Sequence, residues 1–452
     1  MGDVVWPAGL QWGVATSAFQ IEGALADDGR APSVWDTFSA EPGRVADAPG
    51  APGTTAARTA CDHYRRWPQD LQLLADLGVT SYRFSTSWSR IEPRPGVVEP
   101  RGLDFYDRLV DGLLELGIAP MLTLFHWDLP QWAQDAGGWQ SRDTAARLGA
   151  YADVVAGRLG DRVALWATTN EMFEHTVLGH LLGEHAPGLR LPLDEVFGVA
   201  HHLLLGHGLA AQAVRGRTSS PVLAVNSYAP ARPASDSEAD VAVAGLYDVL
   251  QNRLFTDPLL LGRYPDELQP LVAPFARDED LDVIATPLDA LGVNYYSVNA
   301  VRAVEGEVPL EVVPPEGYPR TGFGWAVVPE GLTQVLLRLR DDYGDALPPV
   351  YVTENGCAFP DEAADDGSPV LDDADRVAYL RAHVDAVAEA VRQGVDVRGY
   401  YVWTLLDNVE WAEGVTQRFG LVHTDFATQQ RTPRASFAWY RDHIRQATDR
   451  TR

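Results

Sequence analysis

At eight places in this 452-residue chain, side chains able to do chemistry follow directly on a short β-rich run. In order they are Gln20; Arg83; His126 with Trp127; Asn170 with Glu171; Asn226; Asn294 with Tyr296; Glu354 with Asn355; and Trp403 with Glu410 and Trp411. Amides, hydroxyls and carboxyls hydrogen-bond a polyol, and indole rings stack on its apolar faces. Singly, each is weak: an Asn-Glu pair arises by chance among 63 acidic residues, and an ordinary surface carboxylate is the simpler reading. Their shared position is the stronger signal, because burying unpaired carboxylates along one rim costs several kcal/mol each.

The elements that would hold them alternate. The runs are Leu10–Ser17, Val79–Phe84, Ile118–Leu124, Val163–Thr169, Val222–Asn226, Ala290–Tyr295, Val350–Thr353 and Val397–Thr404. Between them, His63–Leu77, Leu103–Leu116, Thr144–Leu159, Glu195–Arg215, Gly331–Tyr343 and Ala374–Arg392 carry apolar residues at 3.6-residue spacing. This is the pattern of βα units on a parallel sheet. An open doubly wound sheet would alternate too, but a G-x-G-x-x-G turn after the first strand is missing, and eight units is the number that closes a barrel. The expected fold is therefore α/β, a single (β/α)8 TIM barrel over residues 1–452 with long βα loops at its C-terminal face. Glu41–Thr55 and Ala303–Pro319, rich in Pro, Gly, Ala or acids, are read as such loops and not as domain boundaries.

Composition excludes several classes. A hydrophobic fraction of 46% with 22% charged residues is that of a globular chain, not a disordered one. With 36 basic against 63 acidic residues the formal charge is −27, which repels nucleic acid and anionic lipid. All the basic residues are arginine; without lysine there is no Schiff-base chemistry and no P-loop. Two cysteines, Cys61 and Cys357, are too few for a disulfide scaffold or a Cys-rich zinc site. The stretch Met1–Phe19 lacks the pattern of a signal peptide, and no run of eighteen apolar residues occurs, so a cytoplasmic protein is expected. His201, His202 and His207 lack the H-E-x-x-H spacing and read as helix packing; no metal or cofactor is expected.

The chain resembles glycoside hydrolase family 1, the β-glucosidase and β-galactosidase group, over essentially its full length. The segments that carry the resemblance are Trp12–Gln20, Tyr82–Arg90, Leu124–Pro130, Thr169-Asn170-Glu171, Asn294-Tyr295-Tyr296, Val352–Gly356 and Trp403–Asn408. Two positions depart from the pattern: Met172 stands where proline usually follows the acid/base glutamate, and Val409 where an aromatic residue is frequent.

The resemblance implies a retaining exo-β-glycosidase with Glu171 as acid/base and Glu354 as nucleophile. In such an enzyme the two carboxyls lie about 5 to 5.5 Å apart, too close for water to attack from the far side. Arg83 would hold Glu354 ionised, the resulting charge would raise the proton affinity of Glu171, and Asn170, Asn294 and Tyr296 would support the pair. Gln20, His126, Trp127, Asn170, Glu410 and Trp411 would bind the glycone over Trp403, with Phe419 as a wall and Trp325 stacking the leaving group. An anionic Glu410 would repel a 6-phosphate, and the absence of lysine agrees. The implied partner is a small β-glycoside or β-linked disaccharide; glucosyl, galactosyl and fucosyl glycones stay open, as do transglycosylation and oligomeric state. A catalytically dead sugar-binding barrel would have lost a carboxyl, and a metal-dependent barrel isomerase would need ligand clusters in place of these amides and indoles.

Overall fold

In the computed structural model, which describes residues 6–48, 51–306, 308–360, 362–363 and 369–450, eight parallel strands close into a barrel. They are β1 (Gln11–Ala15), β2 (Ser81–Ser85), β3 (Ala119–Phe125), β4 (Leu165–Asn170), β5 (Val222–Ser227), β6 (Ala290–Asn294), β7 (Val350–Asn355) and β8 (Val397–Trp403). Each pairs with its neighbour in sequence, and β1 pairs with β8 from Gln11↔Gly399 to Ala15↔Trp403, so no edge is left open. All eight coincide with the expected β-rich runs, shifted by no more than two residues at either end.

The runs are almost continuously apolar because both faces of each strand are covered. Outward-facing residues pack against the helices. Inward-facing ones, among them Ala15, Met121, Leu165, Ala167, Leu223, Val225, Tyr351 and Tyr401, fill the lumen. Glycine is required at Gly13: a Cβ there would run into the Tyr401 ring. The lumen is thus a packed plug, and open space is confined to the C-terminal rim.

The expected helices form, and four begin two or three residues earlier than their apolar stripes, at Pro100, Arg142, Leu193 and Pro329. Pro100–Glu115 and Pro329–Tyr343 both start on a proline, whose fixed φ and missing N–H suit the first turn; in the former, the Glu99 side chain accepts from the Arg101 N–H at 3.2 Å. A helix at Ala435–Arg450 was not expected, although Phe437, Tyr440, Ile444 and Ala447 form a buried stripe at helical spacing. Its Tyr440 hydroxyl donates to the Gly13 and Tyr400 carbonyls at 2.9 and 3.2 Å, bracing the β1–β8 seam.

The two long loops contain structure of their own. The first includes part of the helix Gly53–Thr59; the second contains the strand Leu310–Val313, antiparallel to Asn299–Ala303, which in turn pairs with Ala231–Pro233. Positions 49, 50 and 307 of these loops, and residues 1–5 of the N-terminal stretch, lie outside the described residues. His201, His202 and His207 bond to Asp280 and Tyr264, to the Trp139 carbonyl and to Thr168, respectively, within the core beneath Leu193–Arg215. Among the described residues, no helix is long and apolar enough to cross a membrane.

Candidate active site

Glu171 ends β4 and Glu354 lies on β7, and both reach the same rim. Arg83, fully buried on β2, donates through Nη1 to Glu354 Oε1 at 2.5 Å and through Nη2 to Asn170 Oδ1 at 2.5 Å. Asn170 Nδ2 then donates to Glu171 Oε2 at 3.2 Å, so a three-bond relay joins the two carboxyls. The Tyr296 hydroxyl donates to Glu354 Oε2 at 2.7 Å, and Asn294 Nδ2 donates to Glu171 Oε1 at 2.9 Å. Every carboxyl oxygen of the pair therefore has one donor. Glu171 itself is in the left-handed region (φ 46°), a conformation that costs a non-glycine residue of order 1 kcal/mol and clusters at functional sites. Its N–H is pinned to the Val225 carbonyl on β5 at 2.9 Å, and Met172 opens a short helix, Met172–Thr176.

Burial and then the charge of Glu354 lift Glu171 well above the ordinary carboxylate range, with Glu174 acting in the same direction. The expectation ranked these otherwise, with the neighbouring charge as the cause. Desolvation leads because Glu171 is buried among the strand ends, and a buried group loses water on most sides at once. Burial, reinforced by both glutamates, holds the Tyr296 phenol protonated.

Next to the pair, the pocket is lined by aromatic rings. Trp411 packs against Trp127 (ring centroids 4.7 Å apart), and His126 stacks between Trp403 and Trp411 at 5.9 and 5.8 Å. Burial, aided by the Arg83 charge, keeps His126 neutral; its Nε2 meets Asn170 Nδ2 at 3.1 Å, and its Nδ1 has no partner. The Trp127 indole N–H is taken up by the Asn170 carbonyl at 2.8 Å, so this ring offers only its face. Gln20 is fully buried behind Glu410, which its Nε2 approaches at 3.4 Å while also donating to Asn408 Oδ1 and the Val409 carbonyl. All of Asn170's polar atoms are likewise engaged within the protein.

Glu410 differs from expectation. Burial first and Glu354 second push it up to about 8, so the expected anion is largely protonated at pH 7. The loop carrying it hangs on Asp407, which sequence reading passed over. Asp407 is fully buried, accepts from Arg434 Nη1 and Nη2 at 3.1 and 3.0 Å, and accepts from the Gly420 N–H at 2.9 Å, close to Phe419. Asp407→Ala should cost about 3–5 kcal/mol by removing the carboxylate that pairs with a buried arginine. Urea unfolding measures it, and a loss below about 1 kcal/mol would mean that Arg434 is not held by this pair.

On the opposite side Trp325 stacks on Phe323 (centroids 4.4 Å, 19° between planes) and touches Tyr296 and Phe419. Phe323 escaped the sequence reading, as did Glu174, one helical turn beyond Glu171, which takes a hydrogen bond from Ser227 at 3.2 Å and is raised to about 7 by burial. Glu171 and Glu354 share one cavity of about 1570 Å³ with His126, Trp127, Tyr296, Trp325, Trp403, Glu410, Trp411 and Phe419. Gln20, Arg83, Asn170 and Asn294 stand behind its surface. Asn226 is buried outside it, and Cys357, whose thiol burial pushes up to about 12, is no nucleophile. A Cβ at Gly356 would strike the Trp403 carbonyl, so the turn after Glu354 packs directly on the indole-bearing strand end.

Two buried carboxyls under one arginine-amide relay, floored by indoles at the C-terminal rim of a closed barrel, make a site for acid and base chemistry on a polyol. Residues 3–448 match the profile of glycosyl hydrolase family 1, and the chain belongs to that family. It is 43% identical to the bifunctional β-D-glucosidase/β-D-fucosidase of Bifidobacterium breve, with 98% of each chain covered. With the thermostable β-glucosidase B of Thermobispora bispora the identity is 46%, covering 98% of this chain and 91% of that one. The family 1 β-glucosidase of Thermotoga maritima in complex with isofagomine lactam superposes with a TM-score of 0.91 at 39% identity, covering 98% and 99% of the two chains.

Proposed function

We propose that the chain is a retaining exo-β-glycosidase that removes terminal β-D-glucosyl residues, and fucosyl residues as well, acting as one catalytic domain over residues 1–452. The observation that carries this reading is the geometry of the pair: two buried carboxyls joined through Arg83 and Asn170, with the arginine bonded to Glu354 and Glu171 raised well above the ordinary carboxylate range. Glu354, ion-paired and held by Tyr296, attacks the anomeric carbon; Glu171, kept protonated, gives its proton to the departing oxygen. Once Glu354 is esterified its charge is gone, one of the causes raising Glu171 is removed, and Glu171 takes a proton from the incoming water. The Bifidobacterium breve relative, named for both glucosidase and fucosidase activity, supports the pairing of glycones. Unpaired, buried Cys61 and Cys357 fit the reducing conditions of a cytoplasmic site of action.

Trp403 forms the floor of the glycone pocket, with Trp411, Trp127, Phe419 and the His126 ring as its walls. Glu410 receives sugar hydroxyls, with Gln20 orienting it. A protonated Glu410 does not repel phosphate by charge. The case against phosphorylated sugars rests instead on Glu354 and on the lack, among the described residues lining the cavity, of an unpaired cation: Arg44 there is paired with Glu41 at 2.9 Å.

Initial rates on nitrophenyl β-glucoside, galactoside, fucoside and 6-phosphoglucoside test this reading. The expected result is turnover of glucoside and fucoside with retained configuration, and at least about 100-fold lower kcat/KM on the phosphorylated sugar. Inverted product, or preference for the 6-phosphoglucoside, would overturn it.

A further inference from the structure

Beyond Trp325 the cavity opens into a chamber of a different character. The whole cavity, at 1570 Å³, exceeds the roughly 300–1,000 Å³ typical of small-ligand sites. Thirteen large apolar side chains are exposed among the described residues, and six of them, Leu182, Leu193, Leu246, Leu271, Val308 and Val312, stand around this one opening. They arrive from distant parts of the chain: the segment after the π-helical turn Val177–Leu181, the start of Leu193–Arg215, the helices Glu238–Asp248 and Gln269–Val272, and the ribbon around Leu310–Val313. Isolated exposed leucines need no explanation, but a contiguous set does.

The polar side chains of this chamber are largely spent on one another. Asn299 Nδ2 donates to Gln251 Oε1 at 3.0 Å and to the Tyr247 hydroxyl at 3.1 Å, and Ser227 donates to Glu174. Asp194 and Glu267 are exposed to solvent. Among the described walls no tryptophan lies past Trp325, because Trp127, Trp403 and Trp411 all belong to the glycone end. A chamber meant for further sugar rings would present exposed stacking faces and polar groups deep in its walls; here Phe173, Phe197, Tyr228 and Phe255 are themselves buried, the carboxylates Asp194 and Glu267 are exposed to solvent, and the large side chains exposed at the opening are leucines and valines.

Building on the proposed glycosidase activity, we infer that this chamber is a binding site for a hydrocarbon leaving group, and that the preferred substrates are amphipathic β-glucosides whose aglycone is a long alkyl chain or a comparably apolar skeleton. The occupant is fixed by continuity: the chamber shares one cavity with Glu171, so whatever fills it is joined to the glycosidic oxygen that Glu171 protonates. Hydrolysis releases the corresponding alcohol and the free sugar.

The test is kcat/KM for methyl, butyl, hexyl and octyl β-D-glucoside below micelle-forming concentrations, with cellobiose alongside. Complete burial is worth a factor of about four per methylene. With partial burial the expected gain is roughly twofold per methylene, or about 100-fold from methyl to octyl, with octyl glucoside ahead of cellobiose. Leu182→Asp combined with Leu246→Asp, both at exposed positions, should cut the octyl-to-methyl ratio by at least about tenfold; a ratio within one enzyme still reads when overall activity falls. A flat series with normal turnover of methyl glucoside, or a preference for cellobiose, overturns the hydrocarbon assignment and leaves the glycosidase reading standing. Failure to hydrolyse any β-glucoside overturns both. A flat series in a protein that sediments as a dimer, and becomes monomeric on Leu182→Asp, assigns the apolar face to a second copy and overturns the inference.

Discussion

Glu354→Gly abolishes hydrolysis of nitrophenyl β-glucoside, with a loss on the order of 10⁵ to 10⁶, the scale seen when a covalent nucleophile is removed from an otherwise intact site. Nothing else on the rim can substitute. Glu171, raised well above the carboxylate range, is assigned to the leaving oxygen, Glu410 sits among the aromatic rings, and Tyr296 keeps its proton. Deleting the side chain leaves a space flanked by the Arg83 guanidinium and the Tyr296 hydroxyl, which suits a small anion. Azide or formate should therefore restore turnover, attacking from the side Glu354 occupied. Because only one displacement then takes place, the product has inverted configuration, and NMR of the product anomer reads it directly. A Glu354→Gly enzyme with activity within tenfold of the parent, or a rescued product of retained configuration, would exclude Glu354 as the nucleophile.

Glu171→Gln separates the two halves of the reaction. General acid help is worth about 10² to 10⁴, and it matters most when the leaving group is a poor one. Alkyl glucosides should lose activity in that range, whereas dinitrophenyl glucoside, whose phenolate departs unaided, loses far less in the first step. The glycosyl-enzyme then accumulates because no base activates water, and azide accelerates its breakdown with retention.

The pH profile adds a second signature. The acid must carry its proton, so activity falls as pH rises through the pKa of Glu171. Burial and Glu354 raise that value, placing the basic limb above the range of an ordinary carboxyl, and in Glu171→Gln this limb disappears. Since desolvation outweighs the Glu354 charge, Glu354→Gln should lower the proton affinity of Glu171 without returning it to the usual carboxylate range, which ¹³C NMR of the labelled carboxyl can follow. Unchanged alkyl glucoside turnover in Glu171→Gln would rule out its role as the acid.

The eight strands and six principal helices follow from local periodicity, which tertiary contacts here reinforce. Where boundaries moved, as at Pro100 and Pro329, the cause was helix-start chemistry outside the apolar stripe. The helix Ala435–Arg450 had the periodic signal in Phe437, Tyr440, Ile444 and Ala447, diluted among charged neighbours. Glu171, Glu354, Arg83 and the pocket aromatics stand at strand ends, where the repeat and the motifs put them. Asp407 and Phe323 did not stand out, since a motif aspartate and a loop phenylalanine acquire their roles from partners far away in the chain.

The identity of the reacting groups and the closed barrel that gathers them are thus properties of the amino-acid order, because residue type and the period of alternation are local quantities. Proton affinities are not. That Glu410 is pushed to about 8, that burial and not charge dominates Glu171, that Asn170 has every polar atom engaged, and that leucines and valines between positions 182 and 312 form one apolar chamber were decided only by the fold. Desolvation is the sum of what surrounds a group from all directions, and those neighbours are brought together by barrel closure from segments that share no local pattern.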